Sequence, residues 1–247
     1  MAFRTFLSSL GINAPEVDTR PGRTVVRPGE ELGFTVVVRG GGAAVEVDRL
    51  LVELVLRTEA SENSDTSWAN PDTALSVVID PFELAAGEER VFERTLTVPW
   101  TLPLTHARGT ALKGARSALR TTLEIDNAVD RGDFDEIQVH GLPVQDAFFA
   151  AFEKLGFRFH EAEGKKGYAR QQKTRTGGFR QELEFWFPAS YRYTAGGQLE
   201  VGLVPTGPDE VEALIGSLDP VFFTAKEMTV EKWAEWLDAT CRPRWAN

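Results

Sequence analysis

Residues 27–42 read Arg27-Pro28-Gly29-Glu30-Glu31-Leu32-Gly33-Phe34-Thr35-Val36-Val37-Val38-Arg39-Gly40-Gly41-Gly42. Pro28 fixes φ and Gly29 accepts positive φ, so the pair turns the chain sharply. The run that follows is β-branched and apolar and stops at three glycines, which predicts a strand closed by a second turn. A short strand signal, Val17-Asp18-Thr19, precedes the unit, and the unit itself returns further on. Leu84-Ala85-Ala86-Gly87-Glu88-Glu89 leads into Arg90 to Val98, where Phe92, Leu96 and Val98 share one side and Pro99 ends the run. Two turn-plus-strand units in one β-rich region predict stacked sheets, a sandwich.

The neighbouring segments extend the same pattern. Upstream, Phe3, Phe6, Leu7 and Leu10 fall on one face of a short helix that Gly11 would end. Downstream comes a long run from Ala44 to Thr58, in which Val45 and Val47 sit on odd positions and Leu50, Val52, Leu54 and Leu56 on even ones. In a strand that switch swaps faces, so a bulge or bend is expected near Arg49. Glu59 to Asp72 reads as a polar, acidic loop carrying Trp68, and Ala74 to Ile79 as a strand. His106 to Arg116 is rich in small residues with Arg108, Lys113 and Arg116, which reads as a mobile loop. Ser117 to Ile125 alternates as a strand does, Asp126 to Asp135 reads as a turn, and Phe134 to Val139 as a strand. Gly141 and Pro143 mark a boundary.

The second half opens on a helical pattern (Val144, Ala147, Phe148, Ala151, Phe152, Leu155) stopped by Gly156. Strands are expected at Phe157–Glu161, Gln181–Phe187, Leu199–Val204, Val211–Ile215 and Val221–Thr224. A last helix runs from about Val230 to Cys241, capped by Thr229, with Val230, Trp233, Trp236, Leu237 and Cys241 as its apolar stripe.

Several of these motifs, taken in order, resemble one family. Val17-Asp18-Thr19 with the Pro-Gly-Glu-Glu turn, Gly40-Gly41, the second Gly-Glu-Glu turn ending in Val98-Pro99 and Thr122-Leu123-Glu124-Ile125 are four of them. Asp130 to Ile137, Leu155-Gly156-Phe157-Arg158-Phe159 and Gln181-Glu182-Leu183-Glu184-Phe185 complete the set. Together they are similar to the bacterial stage-zero sporulation protein M family, over residues 3–188. The resemblance implies an arrestin-like fold and a regulatory role without catalysis, and it brings no set of functional residues. The expected architecture is all-β: two tandem arrestin-like, immunoglobulin-type β-sandwich domains, residues 1–141 and 142–228, with a short N-terminal helix. A C-terminal amphipathic helix, residues 229–247, is expected to pack on the second domain.

Composition narrows the function. A hydrophobic content of 42% is enough for a real core. No apolar run approaches the roughly 20 residues that cross a bilayer, no signal-peptide core is present, and one cysteine, Cys241, fits a reducing compartment. The expected location is the cytoplasm. The formal charge of −10 is uneven: residues 1–140 hold 14 Lys and Arg against 22 Asp and Glu, and residues 141–247 hold 13 against 15. Such a chain is repelled by nucleic acid and anionic lipid unless cations gather locally.

They gather in Gly164–Arg180, where Lys165, Lys166, Arg170, Lys173, Arg175 and Arg180 stand with no acid and Tyr168 and Phe179 interleave. Lys165, Lys166, Tyr168, Arg170, Lys173, Arg175 and Arg180 are therefore the candidate partner-binding residues, for an acidic protein surface, phosphate or RNA. The plain alternative is a solvated hairpin loop. Asp126, Asp130, Asp133 and Asp135 could offer oxygen ligands to Ca²⁺, but they miss the loop template and serve equally as a solvated turn. Glu182 and Glu184 share a strand face roughly 6.6 Å apart, a spacing seen in glycosidase pairs, with Trp186 beside them; an exposed strand face has the same pattern. Three scattered histidines and one cysteine give no zinc spacing and no nucleophile motif. Cys241 reads as a buried, inert thiol. The function expected from the whole is a non-catalytic cytosolic adaptor that binds other proteins, with no cofactor, no nucleic acid and no membrane span. A homodimer is left open. A carbohydrate-active enzyme using Glu182 and Glu184 and a nucleic-acid module using residues 164–180 are the alternatives. Exposed sheet edges offer one route to binding, since an edge accepts a peptide strand through main-chain hydrogen bonds.

Overall fold

The computed structural model describes residues 14–61, 64, 65, 68, 70–125, 131–191 and 197–246. The helix expected over residues 3–10 lies outside them. From the N-terminus the strands are β1 (Glu16–Pro21), β2 (Val25–Val26), β3 (Glu31–Arg39), β4 (Val45–Leu56), β5 (Glu59–Ser61), β6 (Ser64–Asp65), β7 (Asp72–Ile79), β8 (Phe82–Leu84), β9 (Glu89–Thr97), β10 (His106–Ala107), β11 (Thr110–Ala111), β12 (Ser117–Ile125) and β13 (Arg131–Val139). Helix α1 (Pro143–Lys154) follows. Then come β14 (Arg158–Lys166), β15 (Phe179–Trp186), β16 (Gln198–Pro205), β17 (Glu210–Ile215), β18 (Val221–Thr224) and helix α2 (Val230–Trp245).

The two repeated turn-plus-strand units pair with each other. β3 and β9 run antiparallel from Glu31↔Thr97 to Arg39↔Glu89, and β1 lies on the other side of β3. Gly29 has φ of 82° and its N–H donates to Val98 O at 2.8 Å. A Cβ at Gly29 would stand 2.3 Å from the Trp100 ring, so this turn needs glycine both for its conformation and for room. The facing sheet has the order β2-β13-β12-β4-β7, with β8 also on β4. Leu32, Phe34, Val36 and Val38 of one sheet and Leu50, Val52, Leu54, Leu56, Leu119 and Leu123 of the other are buried in one core. The parity switch in β4 is resolved by a bulge. Glu124 of β12 pairs with Arg49 and Ile125 with Val47, leaving Asp48 as the extra, exposed residue. Both Val47 and Leu50 thereby reach the core. His106 to Arg116, expected to be a mobile loop, instead contains the tight hairpin β10–β11, turned by Arg108 and Gly109 at φ of 50° and 75°.

In the second half all five strands join one antiparallel sheet, β14-β15-β16-β17-β18. Where the sequence suggests a second sandwich, helices supply the layer opposite this sheet. Leu183, Phe185, Leu199, Val201, Val211 and Ala213 line the covered face. Phe152 of α1 stacks on Phe185 with centroids 4.3 Å apart, and Trp233 of α2 packs edge-on against Phe148 and Phe223. The physical reason is area: the aromatic stripes of the two helices, packed against each other and the sheet, already cover what a second sheet would cover. α1 starts at Pro143, and Gln145 Oε1 accepts the Leu142 N–H at 2.9 Å. Thr229 Oγ1 accepts the Lys232 N–H at 3.3 Å, as expected of the cap. α2 runs past Cys241 to Trp245 through Pro243. The two halves are tied directly: Gln181 exchanges two hydrogen bonds with the Leu104 backbone (2.7 and 3.1 Å), and Ala162 N–H donates to Lys113 O at 2.8 Å.

Candidate functional site

The cations of Gly164–Arg180 separate into two sets. Lys165 and Arg180 pair in register at the ends of β14 and β15, and Glu163 and Glu182 pair next to them. Lys165 Nζ meets carboxylates of Glu59, of Glu163 at 2.7 Å and of Glu182 at 3.6 Å, and only 17% of its side chain is exposed. Burial works against its charge, but hydrogen bonds to Glu163 and Glu59 more than offset this, and its pKa is raised. Arg180 is held by Glu182 at 2.8 Å and by the Lys166 carbonyl at 3.0 Å, and Lys166 pairs with Asp72 at 2.5 Å. These three cations fasten β14 and β15 and tie them to the first half.

Residues 167–178 form a strap. Gly167 N–H closes its base on Gly178 O at 2.8 Å, and the strap folds back over the sheet face opposite the helices. Gln171 Nε2 donates to Gly216 O at 2.6 Å. Glu212 of β17, 0% exposed, accepts the N–H of Lys173 on Oε1 at 2.6 Å and that of Thr174 on Oε2 at 2.8 Å. A buried carboxylate must be compensated, and two charge-assisted hydrogen bonds do so while fixing the strap. Gln172, also buried, closes the inside of the loop through Ala169 N–H and Thr174 O. Arg170, Lys173 and Arg175 are left exposed. The Arg175 guanidinium lies 5.1 Å from the centroid of Tyr168, and Arg170 and Lys173 make no ion pair among the described residues. Glu212 escapes sequence reasoning, although one acid inside Val211-Glu212-Ala213-Leu214-Ile215 is the signal that could point to it.

The acidic segment is divided. Asp126 and Asp130 lie outside the described residues; Asp133 and Asp135, expected in a turn, are on β13, which begins at Arg131, three residues before the strand expected from Phe134. Asp133 accepts the Thr19 N–H at 2.6 Å and its own neighbour's, Phe134, at 2.8 Å, so both oxygens are engaged with donors. Asp135 Oδ2 is buried without a partner, and burial, with Asp133 and Asp18 adding to it, pushes its pKa up to about 6. Among the described residues no group of three His, Cys, Asp or Glu could hold a metal ion.

Glu182 and Glu184 share a face, as expected, but differ in state. Glu182 is bonded to Arg180 and lies near Lys165. Glu184 lies in a row between Glu161 and Glu200, and burial first, then Glu163, Glu200 and Glu161, raises its pKa. A raised carboxyl is half of an acid–base pair. A cavity of about 310 Å³ lies elsewhere, lined by Ala14 to Asp18, Val37, Arg39 and Gly132, so it does not bring a substrate to these glutamates. Cys241 is buried, and burial pushes its thiol up to about 12, an inert state. His106 stacks on His140 at 4.6 Å, and burial and that neighbour lower its pKa.

The SpoOM protein family model matches residues 3–216. The chain belongs to the SpoOM protein family. The sporulation-control protein spo0M of Bacillus subtilis (strain 168) is 30% identical over 183 residues, 74% of this chain and 67% of the relative. The crystal structure of Spo0M, sporulation control protein, from Bacillus subtilis superposes with a TM-score of 0.74 at 26% identity, covering 94% of this chain and 99% of that one. A mainly β, arrestin-like SpoOM fold and a regulatory role akin to sporulation control follow for this chain. No helix among the described residues is long and apolar enough to cross a membrane.

Proposed function

We propose that this SpoOM-family chain is a non-catalytic cytosolic adaptor that regulates a developmental or cell-division process by binding other proteins, with the strap as its contact. One observation carries the reading: Arg170, Lys173 and Arg175 project from a loop whose backbone is pinned to a buried carboxylate, in a chain of net charge −10. A fixed cationic strip on an acidic molecule selects an acidic partner, because like charge elsewhere discourages other approaches. Arg175 beside Tyr168 adds a flat, partly apolar surface. Lys165, Lys166 and Arg180 act as the strap's anchors. The single thiol fits a reducing compartment, and a homodimer is compatible with the same edges and strap.

The test is affinity capture from the native cytosol with the wild-type chain and with Arg170→Glu, Lys173→Glu, Arg175→Glu combined. We expect the variant to melt within a few degrees of wild type, since the three side chains are exposed, and to lose the captured protein. Capture that survives charge reversal overturns the reading. A steep salt-dependent RNA shift that the variant abolishes would put nucleic acid in the partner's place.

A further inference from the structure

We infer that β18 is the docking edge of this adaptor, and that it takes an extended segment of a partner protein, with acidic side chains on the strap side, as a sixth strand of the second sheet. This rests on the protein-binding reading above and names the partner's form.

β18 is the last strand of its sheet and pairs with β17 alone, Ala213↔Val221 to Glu210↔Thr224. The next pair in that register, Asp209 and Ala225, is hydrogen-bonded, Ala225 N–H donating to Asp209 O at 2.7 Å. In an antiparallel ladder bonded pairs alternate. Val221 and Phe223 therefore turn their main-chain groups toward β17, and Phe222 turns its N–H and C=O outward. No described residue meets them. Native proteins guard such an edge by keeping it very short or with lysine, proline or a bulge. β18 is short, four residues with Pro220 just before it, but Val221-Phe222-Phe223-Thr224 itself carries no lysine, proline or bulge, and Val221 and Phe222 are 37% and 43% exposed.

The side chains set the partner's chemistry. Phe223 is turned inward against Trp233 and Trp236. Phe222 shares the opposite face with its register partner Glu212, and Glu212 holds Lys173 and Thr174 over that face. The strap thus lies above β17, one strand in from the open edge. A strand added beyond β18 would lie roughly 4.8 Å further out, with alternate side chains on the strap's side, where the exposed Lys173, Arg170 and Arg175 favour carboxylates. Of the acids near β18, Glu212 is consumed by the strap. Asp209 and Glu210, which accepts the Thr206 hydroxyl at 3.1 Å, stand at its Thr224 end with Lys226 and Glu227, and Asp219 stands before Val221, so the strap favours carboxylates over the strand's middle, opposite Phe222, rather than at its ends.

The probe is a fluorescein-labelled eight-residue peptide in which Glu alternates with Val, titrated into the full chain by anisotropy, with amide hydrogen exchange read at Phe222. Binding should slow exchange of the Phe222 amide. Phe222→Pro, which deletes the outward donor, should weaken binding about tenfold, the worth of one to two main-chain hydrogen bonds; Phe222→Glu should do the same while keeping the N–H, because it sets a like charge beside the peptide's glutamates. A Lys-Val peptide should not bind. Binding that leaves Phe222 exchange unchanged, or that survives both Phe222 variants while Lys173→Glu abolishes it, overturns the edge and leaves the strap standing. No binding by the wild-type chain overturns the edge too. Slowed Phe222 exchange that depends on protein concentration without peptide would make a second copy the occupant and overturn the partner assigned here.

Discussion

Asp135 shows what a single carboxyl costs in this fold. Its Oδ2 is buried without a donor, beside Asp133 and Asp18, and its pKa is raised from 3.8 to about 6. The folded state therefore keeps a proton between about pH 4 and 6 that the unfolded chain releases. The protonated form's advantage is fully present below the unfolded pKa and is lost as pH rises through the folded one. Above pH 6 the ionised group destabilises the fold. Asp135→Asn removes this cost, so the variant should gain stability at pH 8, of order 1 kcal/mol once solvent screening is allowed for, and gain less at pH 5. Urea melts at the two pH values measure it; an equal gain at both would mean that ionisation is not the cause. His106 has the opposite dependence: its lowered pKa gives stability that is present above the ordinary histidine range and fades as pH falls. At this scale the sequence was partly readable. The Val47-to-Leu50 parity switch announced the bulge at Asp48, and Thr229 announced a cap. Lys165 and Lys173 look alike in sequence, yet one is half-buried among three glutamates, Glu59 lying 106 positions away, and the other is exposed on the strap. Strand register joins Glu163 and Glu182 to Lys165 and Arg180, and no local pattern reports it.

The strap is an element without secondary structure, and Glu212 does for it what a ladder does for a strand. Glu212→Ala leaves the N–H groups of Lys173 and Thr174 without their acceptor beneath the loop. The expected loss is about 3 kcal/mol of stability, the combined worth of two hydrogen bonds to a charged group. Exchange of the Lys173 and Thr174 amides should rise well above that of β15, and strap amides as protected as before would remove Glu212 from this role. Helices α1 and α2 were legible as aromatic stripes at helical spacing, Phe148 and Phe152 on one and Trp233 and Leu237 on the other. A stripe tells that something is covered, not what covers it. That is why five strands suggested two sheets where the fold has one sheet and two helices.

For the whole molecule, we propose the division read from the sequence: residues 1–141, 142–228 and the terminal helix 229–247. The seam it crosses is well bonded. Gln181 clasps the Leu104 backbone, β14 meets Lys113, and Lys165 and Lys166 reach Glu59 and Asp72. A 142–247 fragment expressed alone leaves Lys165 with Glu163 and Glu182 only, removes the Lys113 carbonyl that the Ala162 N–H meets, and uncovers Gly164, against which the Arg57 backbone lies. It should form its helices yet unfold at lower urea than the full chain, by circular dichroism. A fragment as stable as the full chain would show that the seam adds nothing. Order and spacing of weak motifs over residues 3–188 sufficed to point to the family, because turns and strand starts are set locally. The seam, formed between residues up to 106 positions apart, was not visible in that way.

The central claim is that this chain acts by contact at the strap and the neighbouring edge. The most direct measurement is a photo-crosslinking amino acid placed at Lys173 and, as control, at Arg94 on β9, in living cells. The account predicts a discrete protein adduct from position 173 that disappears with Arg170→Glu and Arg175→Glu, and none from position 94. An adduct from position 94 with none from position 173 would contradict it.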